Sequence, residues 1–262
     1  NDNMRAMLKA HFIRAFKDIG LLEGSSVLVH VSMRKFGYIV NGANDIINAV
    51  VEVVGKSGTL LASANTPQYT EPKDWENPKI PDKYVSFVKN NMDLFDVNLS
   101  MPRGRGKLAE ILLMYKKTFR SNHPVRSLSA LGKKAEYYTK EHNFHDPEGV
   151  NSPLHKLYQD NGYTLLIGVD MSVSSILHVA ENIADVPYLY TTKCVALDEF
   201  GEFKRIKKYS QALKFNRIRG HLIKNNMMKC TKVNGGDVCI FNVKDVVDEA
   251  VCFLKKTPYY FC

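Results

Sequence analysis

Two short apolar runs on either side of an amphipathic stretch constrain the fold of this chain more than any other feature. Residues 27–31 and 59–64 have the composition of buried strands. A third run, residues 164–169, is almost wholly apolar and predicts a central strand. Between the first two runs, apolar side chains recur at helical spacing at Ile46, Ile47, Val50, Val51 and Val54. The order strand, helix, strand predicts an α/β fold with parallel strands and crossover helices.

The remaining segments predict further helices and strands. We expect helices at 3–19, 82–91, 106–117, 133–141, 153–160, 176–184, 209–224 and 243–255. We expect strands at 127–131 and 238–241, and a hairpin formed by 190–197 and 202–207 around Gly201. Because no linker, repeat or low-complexity tract separates these elements, one domain covering residues 1–262 is the simplest organisation.

Composition places the chain among globular proteins. It has 262 residues, of which 45% are apolar, a share that excludes disorder for most of its length. No apolar run reaches the ~18–20 residues of a membrane-spanning helix. Lys and Arg total 36 against 27 Asp and Glu, which gives a net charge of +9. That excess suits nucleic acid, an acidic membrane or a phosphorylated small molecule, or else belongs to a solvated lysine-rich surface.

The cysteines show no metal-binding or redox motif. They are five in number and none belongs to a CxxC pair. The five are Cys194, Cys230, Cys239, Cys252 and Cys262. We therefore expect reduced thiols with mostly structural roles, and a cytoplasmic protein.

The segment after the third apolar run is the strongest candidate for chemistry. Ligands of α/β sheets bind beyond the carboxyl ends of the strands, and here a polar loop leads from that end into the helix at 176–184. Ser174 or Ser175 is a good N-cap. His178 then lies in the first helical turn, where the helix dipole favours a neutral imidazole. Glu181, on the same helix face, could orient this general base. The alternative is a hydrogen-bonded, partly buried histidine beside a surface glutamate.

A His-x-x-Glu pair could also hold zinc. His178 and Glu181 would then need a third ligand, for which His123, His142 and His145 are the candidates. No second cluster of histidines or cysteines has the spacing of metal ligands. We therefore expect no metal.

Two other segments could bind anions. Ser32, Arg34 and Lys35 follow the first strand, where backbone NH groups, a hydroxyl and two cations can cradle a phosphate. The segment is not a P-loop. Residues 120–124, Arg-Ser-Asn-His-Pro, could bind an anion or position a ring. In both cases a plain connecting loop is the alternative.

Basic residues are densest between 204 and 224. Nucleic-acid binding favours interleaved aromatic side chains and a recognisable module. Only Tyr209 and Phe215 are interleaved here, so a solvated basic face is the favoured interpretation. A smaller basic loop lies at 103–107.

Five segments, taken in order, resemble motifs of the aminoglycoside 3-N-acetyltransferase family. The family patterns are L-V-H-S-S-L-R-x-x-G, R-S-x-H-P-x-x-S-x-x-A-x-G, S-P-L-x-x-L, L-L-L-G and L-H-x-A-E. Here they correspond, in the same order, to residues 28–37, 120–132, 152–157, 165–168 and 177–181. The loop at 72–78, which contains Trp75, is also similar to that of bacterial relatives.

The resemblance implies an acetyl-CoA-dependent N-acetyltransferase. Its fold would be the α/β fold of that family, a central mixed sheet flanked by helices with an antiparallel hairpin appendage. Acetyl-CoA would be the cosubstrate and a small-molecule amine the acceptor, with no nucleic acid, membrane or metal, in a monomer or homodimer. By family likeness His178 is the general base, Glu181 its orienting partner and Ser175 a hydrogen-bond donor to the oxyanion.

The resemblance also implies binding residues. Coenzyme A would contact the loop after the first strand and two residues of the second motif. These are Val31, Ser32, Met33, Arg34, Phe36, Gly37, Arg120 and Ser121. The acceptor would be bound near Trp75, His123 and Asp170.

The chain departs from the family pattern at three places. Val31 replaces the first of the paired serines, Ser172 stands where some antibiotic-modifying members carry Asp, and no Asp occurs around residues 210–212. Aminoglycosides are polycations, so a pocket for them should be rich in carboxylates. We therefore expect a less cationic acceptor, such as a nucleotide-linked amino sugar or a related metabolite, and weak or absent aminoglycoside turnover.

Overall fold

Strands and helices alternate along most of the chain. A computed structural model describes residues 5–189, 195–207 and 214–262. The strands in these ranges are β1 (Ser26–Val31), β2 (Thr59–Ser63), β3 (Phe119–Arg120), β4 (Leu128–Gly132), β5 (Tyr163–Ile167), β6 (Val195–Leu197), β7 (Phe203–Arg205), β8 (Met228–Val233) and β9 (Gly236–Asn242). The α-helices are α1 (Lys9–Asp18), α2 (Ala43–Val54), α3 (Asp82–Asn90), α4 (Lys107–Leu112), α5 (Ala135–Thr139), α6 (Pro153–Gln159), α7 (Leu177–Ala184), α8 (Arg219–Lys224) and α9 (Val243–Lys256).

The main sheet is mixed. Its order is β3-β4-β2-β1-β5-β9-β8. β1 is parallel to both β2 and β5, and the other pairings within this sheet are antiparallel. The mixed sheet implied by the family resemblance is confirmed, whereas the parallel sheet predicted from strand order holds only for the three central strands. The crossover helix α2 permits a parallel β1–β2 pair, but a two-residue turn between β8 and β9 enforces an antiparallel one.

The central strands are buried on both faces, which explains their almost continuous apolar sequences. Leu28 and Leu61 point into one hydrophobic cluster, which helices α7 and α9 cover. Their neighbours Val27 and Leu60 point into the opposite cluster, which helices α1 and α2 cover. Successive side chains of a strand alternate between faces, so each central strand contributes to both clusters.

Several predicted helices are shorter than their apolar spacing indicated, and α5 covers only Ala135–Thr139 of the predicted 133–141. α1 begins at Lys9 rather than residue 3, because Met7 forms a parallel bridge with Ile39 that keeps the preceding chain extended. α4 ends at Leu112 rather than residue 117. Of the predicted basic helix, the structure shows a 3-10 turn at Phe215–Ile218 followed by α8. Residues 209–213 of that prediction lie outside the described ranges.

Sequence periodicity missed β3 and β8. β8 is an edge strand with mostly exposed or half-buried side chains, so it has no apolar run to detect. Its lysines, such as Lys229 and Lys232, are typical of edges protected from aggregation. Asn234 and Gly235, with φ of 49° and 90°, form the turn to β9. The Asn-Gly pair is a strong sequence signal for a hairpin, and it could have indicated β8.

Two cysteines correct a sequence prediction. Cys230 on β8 lies opposite Cys239 on β9, with Cα atoms 4.1 Å apart, and the pair is disulfide-bonded. The prediction of reduced thiols is therefore wrong for this pair, because cross-strand pairing cannot be inferred from spacing when one strand is not recognised. Cys252 and Cys262 are free thiols, and Cys194 lies outside the described residues.

The predicted antiparallel hairpin is confirmed where β6 (Val195–Leu197) pairs with β7 (Phe203–Arg205). It packs on the long loop that follows β2: Thr70 bridges to Ala196, and Glu71 N donates to Val195 O at 3.0 Å. The remainder of its predicted first strand, residues 190–194, is not among the described residues. Across the described ranges, we find no helix with the length and apolarity needed to cross a membrane.

Candidate active site

The site lies at the edge of the sheet where β1 and β5 end. These parallel neighbours bring their carboxyl ends together, and Ser32 N, just beyond β1, donates to Ile167 O at 2.9 Å. Gly168 follows β5 with φ of 69°, and a Cβ there would lie 2.5 Å from Ser32 O. The close approach of the two loops therefore requires glycine at this position. From here a polar loop leads into α7.

His178, in the first turn of α7, and Glu181, three residues further along the helix, form a hydrogen-bonded pair. His178 Nδ1 lies 2.7 Å from Glu181 Oε1. The side chain of His178 is 14% exposed and that of Glu181 is 0% exposed. The predicted shared helix face is confirmed, and the alternative of a surface glutamate is wrong. In the neutral ring, a proton on Nδ1 is donated to the carboxylate, so Nε2 is the basic nitrogen.

Neither Ser174 nor Ser175 caps α7 through its side chain, contrary to prediction. Their carbonyl oxygens instead accept from Leu177 N at 3.1 Å and His178 N at 3.0 Å, and the residue before the helix, Ile176, is itself helical. Ser174 Oγ is buried and, among the described residues, has no hydrogen-bond partner. Ser175 Oγ lies 3.5 Å from His30 Nε2. The second serine therefore faces the end of β1 rather than the helix.

His30 is a site residue that the sequence analysis treated only as part of a strand. It is 9% exposed at the carboxyl end of β1. Burial, with a smaller contribution from the charge of Arg105, lowers the pKa of His30 to about 3. Its ring is therefore neutral at physiological pH. The available signal was a histidine in an otherwise apolar strand, next to the loop with the predicted anion site.

Aromatic rings support the dyad from the C-terminal part of the chain. The ring of Phe215 packs edge-on against His178, with centroids 5.1 Å apart. Phe261 packs edge-on against Phe215 at 5.0 Å. Both phenylalanines are buried, so they form a fixed aromatic wall against the imidazole.

The predicted coenzyme-binding loop is divided between surface and core. Arg34, Lys35 and Gly37 are exposed, and Gly37 has φ of 70°. Val31, Ser32 and Met33 are half-buried. Phe36, by contrast, is 0% exposed and packs edge-on against Phe12 with centroids 5.4 Å apart. Its side chain therefore packs in the core, and its predicted contact with coenzyme A stays a prediction.

Arg120 holds the main chain together. Its Nε donates to Ser127 Oγ at 3.0 Å, and its Nη2 donates to Ala64 O at 3.1 Å. Nη1 donates to Ser100 O, and the guanidinium stacks on Phe95 at 5.0 Å. These contacts commit the guanidinium to the protein. These hydrogen bonds give Arg120 a structural role, and its predicted role in holding a phosphate stays a prediction.

Ser121 and His123 are also internal. Ser121 Oγ accepts from Leu128 N at 2.8 Å and lies 2.8 Å from His142 Nδ1. His123 is 0% exposed: its Nδ1 accepts from Val125 N at 3.1 Å, and its Nε2 lies 3.0 Å from Phe144 O. Burial lowers the pKa of His123 to about 4. These hydrogen bonds give both side chains a structural role, and their predicted contact with a substrate or coenzyme stays a prediction.

The other predicted acceptor-binding residues lie in loops. Asp170 is exposed, and its Oδ1 accepts from Ser172 N at 2.9 Å and from the Ser172 hydroxyl. It thereby caps a 3-10 turn at Met171–Val173 on the way to α7. Trp75 is half-buried, and its Nε1 donates to Thr70 O at 3.1 Å. Trp75 thus stabilises the long loop after β2, on which the β6–β7 hairpin packs.

His142 separates two cavities. One, of about 10 Å³, is lined by Ser175, Arg126 and Glu148 among others. Arg126 and Glu148 form an ion pair there, with side chains 16% and 3% exposed. The other, of about 340 Å³, has aromatic walls from Phe95, Phe144 and Phe200. The size of the second is within the range of small-molecule pockets.

A zinc site at His178 and Glu181 would need a third ligand, and the part of the chain that the structure describes provides none. No group of three or more His, Cys, Asp or Glu side chains there could hold a metal ion. The predicted third ligands are used elsewhere: His123 and His142 as above, and His145 Nδ1 at 3.0 Å from Arg205 O.

Part of the basic segment is neutralised by carboxylates. Lys204 pairs with Asp198 at 2.9 Å, and Lys207 pairs with Asp146 at 3.3 Å. Residues 210–212, where the sequence lacks the family's Asp, lie outside the described ranges.

Comparison with known proteins identifies the family to which this chain belongs. A family model described as aminoglycoside 3-N-acetyltransferase matches residues 28–255. The SPbeta prophage-derived aminoglycoside N(3')-acetyltransferase-like protein YokD of Bacillus subtilis is 31% identical over 240 residues, which are 89% of this chain and 87% of that protein. Aminoglycoside N(3)-acetyltransferase IX of Micromonospora chalcea is 34% identical over 176 residues, 64% of this chain and 59% of that protein. The crystal structure of YokD superposes with a TM-score of 0.86 at 26% identity, covering 98% of this chain and 97% of that one.

Proposed function

Because the chain belongs to the aminoglycoside 3-N-acetyltransferase family, a family of acyltransferases, we propose that it transfers an acetyl group from acetyl-CoA to a primary amine. The acceptor is an amino sugar, an aminoglycoside or a related metabolite. The observation that carries the proposal is the His178–Glu181 pair, with 2.7 Å between Nδ1 and Oε1 at the start of α7. A buried carboxylate behind a partly exposed imidazole is the arrangement that a general base requires.

In the proposed mechanism, His178 Nε2 removes a proton from the acceptor amine as its nitrogen bonds to the carbonyl carbon of the thioester. The carbon–sulfur bond then breaks, and the imidazolium gives its proton to the departing thiolate. The products are the acetamide and coenzyme A. Glu181 stabilises the imidazolium between the two proton transfers, because its carboxylate is already in contact with Nδ1.

Ser175 is placed to stabilise the oxyanion. Burial keeps the neighbouring His30 neutral, since the pKa of that ring is lowered to about 3. In the tautomer with hydrogen on Nε2, His30 donates to Ser175 Oγ across 3.5 Å. The serine hydrogen is then available to the carbonyl oxygen of the thioester, where negative charge develops.

Within the predicted coenzyme site, the loop at 31–37 is the part with the strongest support. It begins at the carboxyl end of β1, and its two exposed cations, Arg34 and Lys35, suit the phosphates of coenzyme A. Gly106 lies over the same strand end, since a Cβ there would be 3.7 Å from Val31 O. The basic loop at 103–107 therefore borders this site.

For the acceptor we favour an amino sugar of low positive charge. The loop before α7 carries Ser172, whose hydroxyl donates to Asp170, so this loop offers one carboxylate where some relatives are expected to have more. The net charge of +9 also repels a polycation.

An acceptor panel tests the proposal. The purified chain is mixed with acetyl-CoA and, in turn, glucosamine, a nucleotide-linked amino sugar, gentamicin and tobramycin, and thiol release and acetylated product are measured. We expect turnover of an amino sugar and little of the aminoglycosides. Strong acetylation of gentamicin or tobramycin would overturn the acceptor class while leaving the transferase intact. Absence of both acetyl-CoA binding and amine acetylation would overturn the proposed function.

A further inference from the structure

The second oxygen of Glu181 has no assigned role in the dyad. Oε1 is in contact with His178, but Oε2 is buried and, among the described residues, has no hydrogen-bond partner. The hydroxyl oxygen of Tyr188 is also buried and equally without a partner within the described ranges. Buried polar atoms are nearly always hydrogen-bonded, so two such atoms in one region call for an explanation.

The chain path brings Tyr188 back towards α7. The helix ends at Asp185, which has the left-handed φ of 49°, and Val186 N then donates to Glu181 O at 3.3 Å. Tyr188 therefore follows a tight reversal beneath the helix. Burial and then the charge of Glu181 raise the pKa of the Tyr188 hydroxyl well above its ordinary value. The phenol stays protonated, and the carboxylate charge is close enough to act on it.

The surroundings favour the carboxylate as acceptor. The ring of Tyr188 packs against Tyr259 with centroids 5.7 Å apart, which fixes its plane. The thiol of Cys262 is the other polar neighbour of the hydroxyl. Thiol sulfur is a weak acceptor, whereas a buried carboxylate oxygen is a strong one. The titratable and charged groups that face this cluster are His178, Glu181, Cys262, Lys214 and Arg217.

We propose that Tyr188 is a positioning residue that donates its phenolic hydrogen to Glu181 Oε2 and so holds the carboxylate in place for His178. This inference rests on the proposed role of His178 as the general base. It extends the hydrogen-bonded chain from the reacting amine through His178 and Glu181 to the segment after α7. Such outer partners orient a base and tune its proton affinity without touching substrate.

Loss of the hydroxyl has a predictable sign. When His178 is neutral, the negative charge of Glu181 is stabilised by its remaining donors, and Tyr188 is one of them. Without that donor, the state with a protonated ring beside the carboxylate becomes relatively more favourable. Since catalysis needs the neutral ring, the acidic limb of the activity profile moves to higher pH.

The test is Tyr188→Phe, with Tyr259→Phe as the matched control. The control removes a hydroxyl from the ring that packs on Tyr188 and keeps both rings. We expect kcat of Tyr188→Phe to fall about tenfold at neutral pH, with KM for both substrates unchanged and the acidic limb shifted upward. Tyr259→Phe should keep the kcat and the pH profile of the unmodified chain. An unchanged kcat and pH profile in Tyr188→Phe would overturn the proposal.

A second comparison separates positioning from packing. If Tyr188 acts through the carboxylate charge, Glu181→Gln/Tyr188→Phe should be no slower than Glu181→Gln alone. Fully additive losses would show that the tyrosine acts by another route, and would refute the inference. Failure of the base itself has a different signature, because His178→Ala would then be as active as the unmodified chain.

Discussion

His178 and Glu181 differ in their exposure to solvent: the imidazole ring is partly exposed, whereas the carboxylate is fully buried. The two side chains are 14% and 0% exposed. Burial makes the carboxylate a fixed electrostatic partner, and the first turn of α7 places the proposed base where solvent partly reaches it. Their spacing of three residues is a local property of a helix, which is why the pair could be recognised before the fold was known.

Replacing the base tests this arrangement directly. We expect His178→Ala to lower kcat on the order of 1,000-fold, the upper part of what a general base contributes. Binding of coenzyme A, measured by thermal shift, should persist, because His178 lies outside the proposed coenzyme-binding loop at 31–37. The control is His145→Ala, an exposed histidine outside the dyad, which should retain full activity. Equal activity of the two variants would show that the base lies elsewhere.

Buried neutral histidines predict sensitivity to acid. The pKa of His123 falls from 6.5 to about 4 on burial, so the unfolded chain binds a proton in that window and the folded chain does not. The stability that His123 contributes is therefore fully present above pH 6.5 and is lost progressively as the pH falls towards 4. Across this pH range, this one histidine changes the free energy of unfolding by about 1.4 kcal/mol per pH unit.

Urea unfolding at a series of pH values measures that slope. The slope should be reduced in His123→Gln by about the contribution of one histidine, whereas the exposed His145→Gln should keep it. Identical slopes in both variants would contradict the assignment of His123 as a buried, neutral structural residue.

At the scale of elements, glycine decides how closely two loops meet. A Cβ on Gly168 would lie 2.5 Å from Ser32 O and 2.8 Å from the ring of Phe36. These are the loops that carry the proposed coenzyme site and the helix with the base. Their contact depends on a backbone that can take φ of 69° without a side chain.

We therefore expect Gly168→Ala to lower the free energy of unfolding by about 2–4 kcal/mol. The matched control is Gly104→Ala, which has φ of 70° but nothing within 4 Å of the added Cβ. Because only the backbone penalty applies there, its loss should be about 1 kcal/mol. Equal losses at the two positions, measured by denaturant unfolding, would show that the close approach is not important.

The disulfide ties the edge hairpin of β8 and β9. It closes a short loop, since the two cysteines are separated by 9 positions. Chain entropy predicts a loss of about 2–3 kcal/mol when it is removed. Cys230→Ala/Cys239→Ala should show this loss by denaturant unfolding, and reductant should produce a similar loss in the unmodified chain. Cys252→Ala, which removes an exposed free thiol, should be neutral, and reductant should still destabilise it.

At the scale of the whole molecule, sheet order concentrates chemistry at one edge. β1 (Ser26–Val31) and β5 (Tyr163–Ile167) are adjacent and parallel although they lie far apart in the chain, and their ends share one loop contact. The positive charge of the chain acts over this edge as a long-range field. That field should attract the phosphates of coenzyme A and repel a cationic acceptor.

Ionic strength distinguishes these effects. We expect KM for acetyl-CoA to rise about threefold to tenfold between low and high salt, because screening weakens attraction to the basic loops. KM for an amino sugar of low charge should change little. A marked fall in acceptor KM with salt would indicate a polycationic acceptor, whose repulsion the salt relieves, and would count against the favoured acceptor class.

The amino-acid sequence by itself determined the central strands, most helices and the His178–Glu181 pair, because each depends on side-chain spacing within one element. Tertiary structure decided the rest. Strand direction at β4 and β9, the disulfide between Cys230 and Cys239, and the approach of His30 to Ser175 join segments far apart in the chain. The motif around Arg120 and His123 shows the same limit: its residue types suit a ligand, but only the structure shows the protein groups to which they are hydrogen-bonded. Burial and long-range contact are properties of the packed chain, and no local pattern contains them.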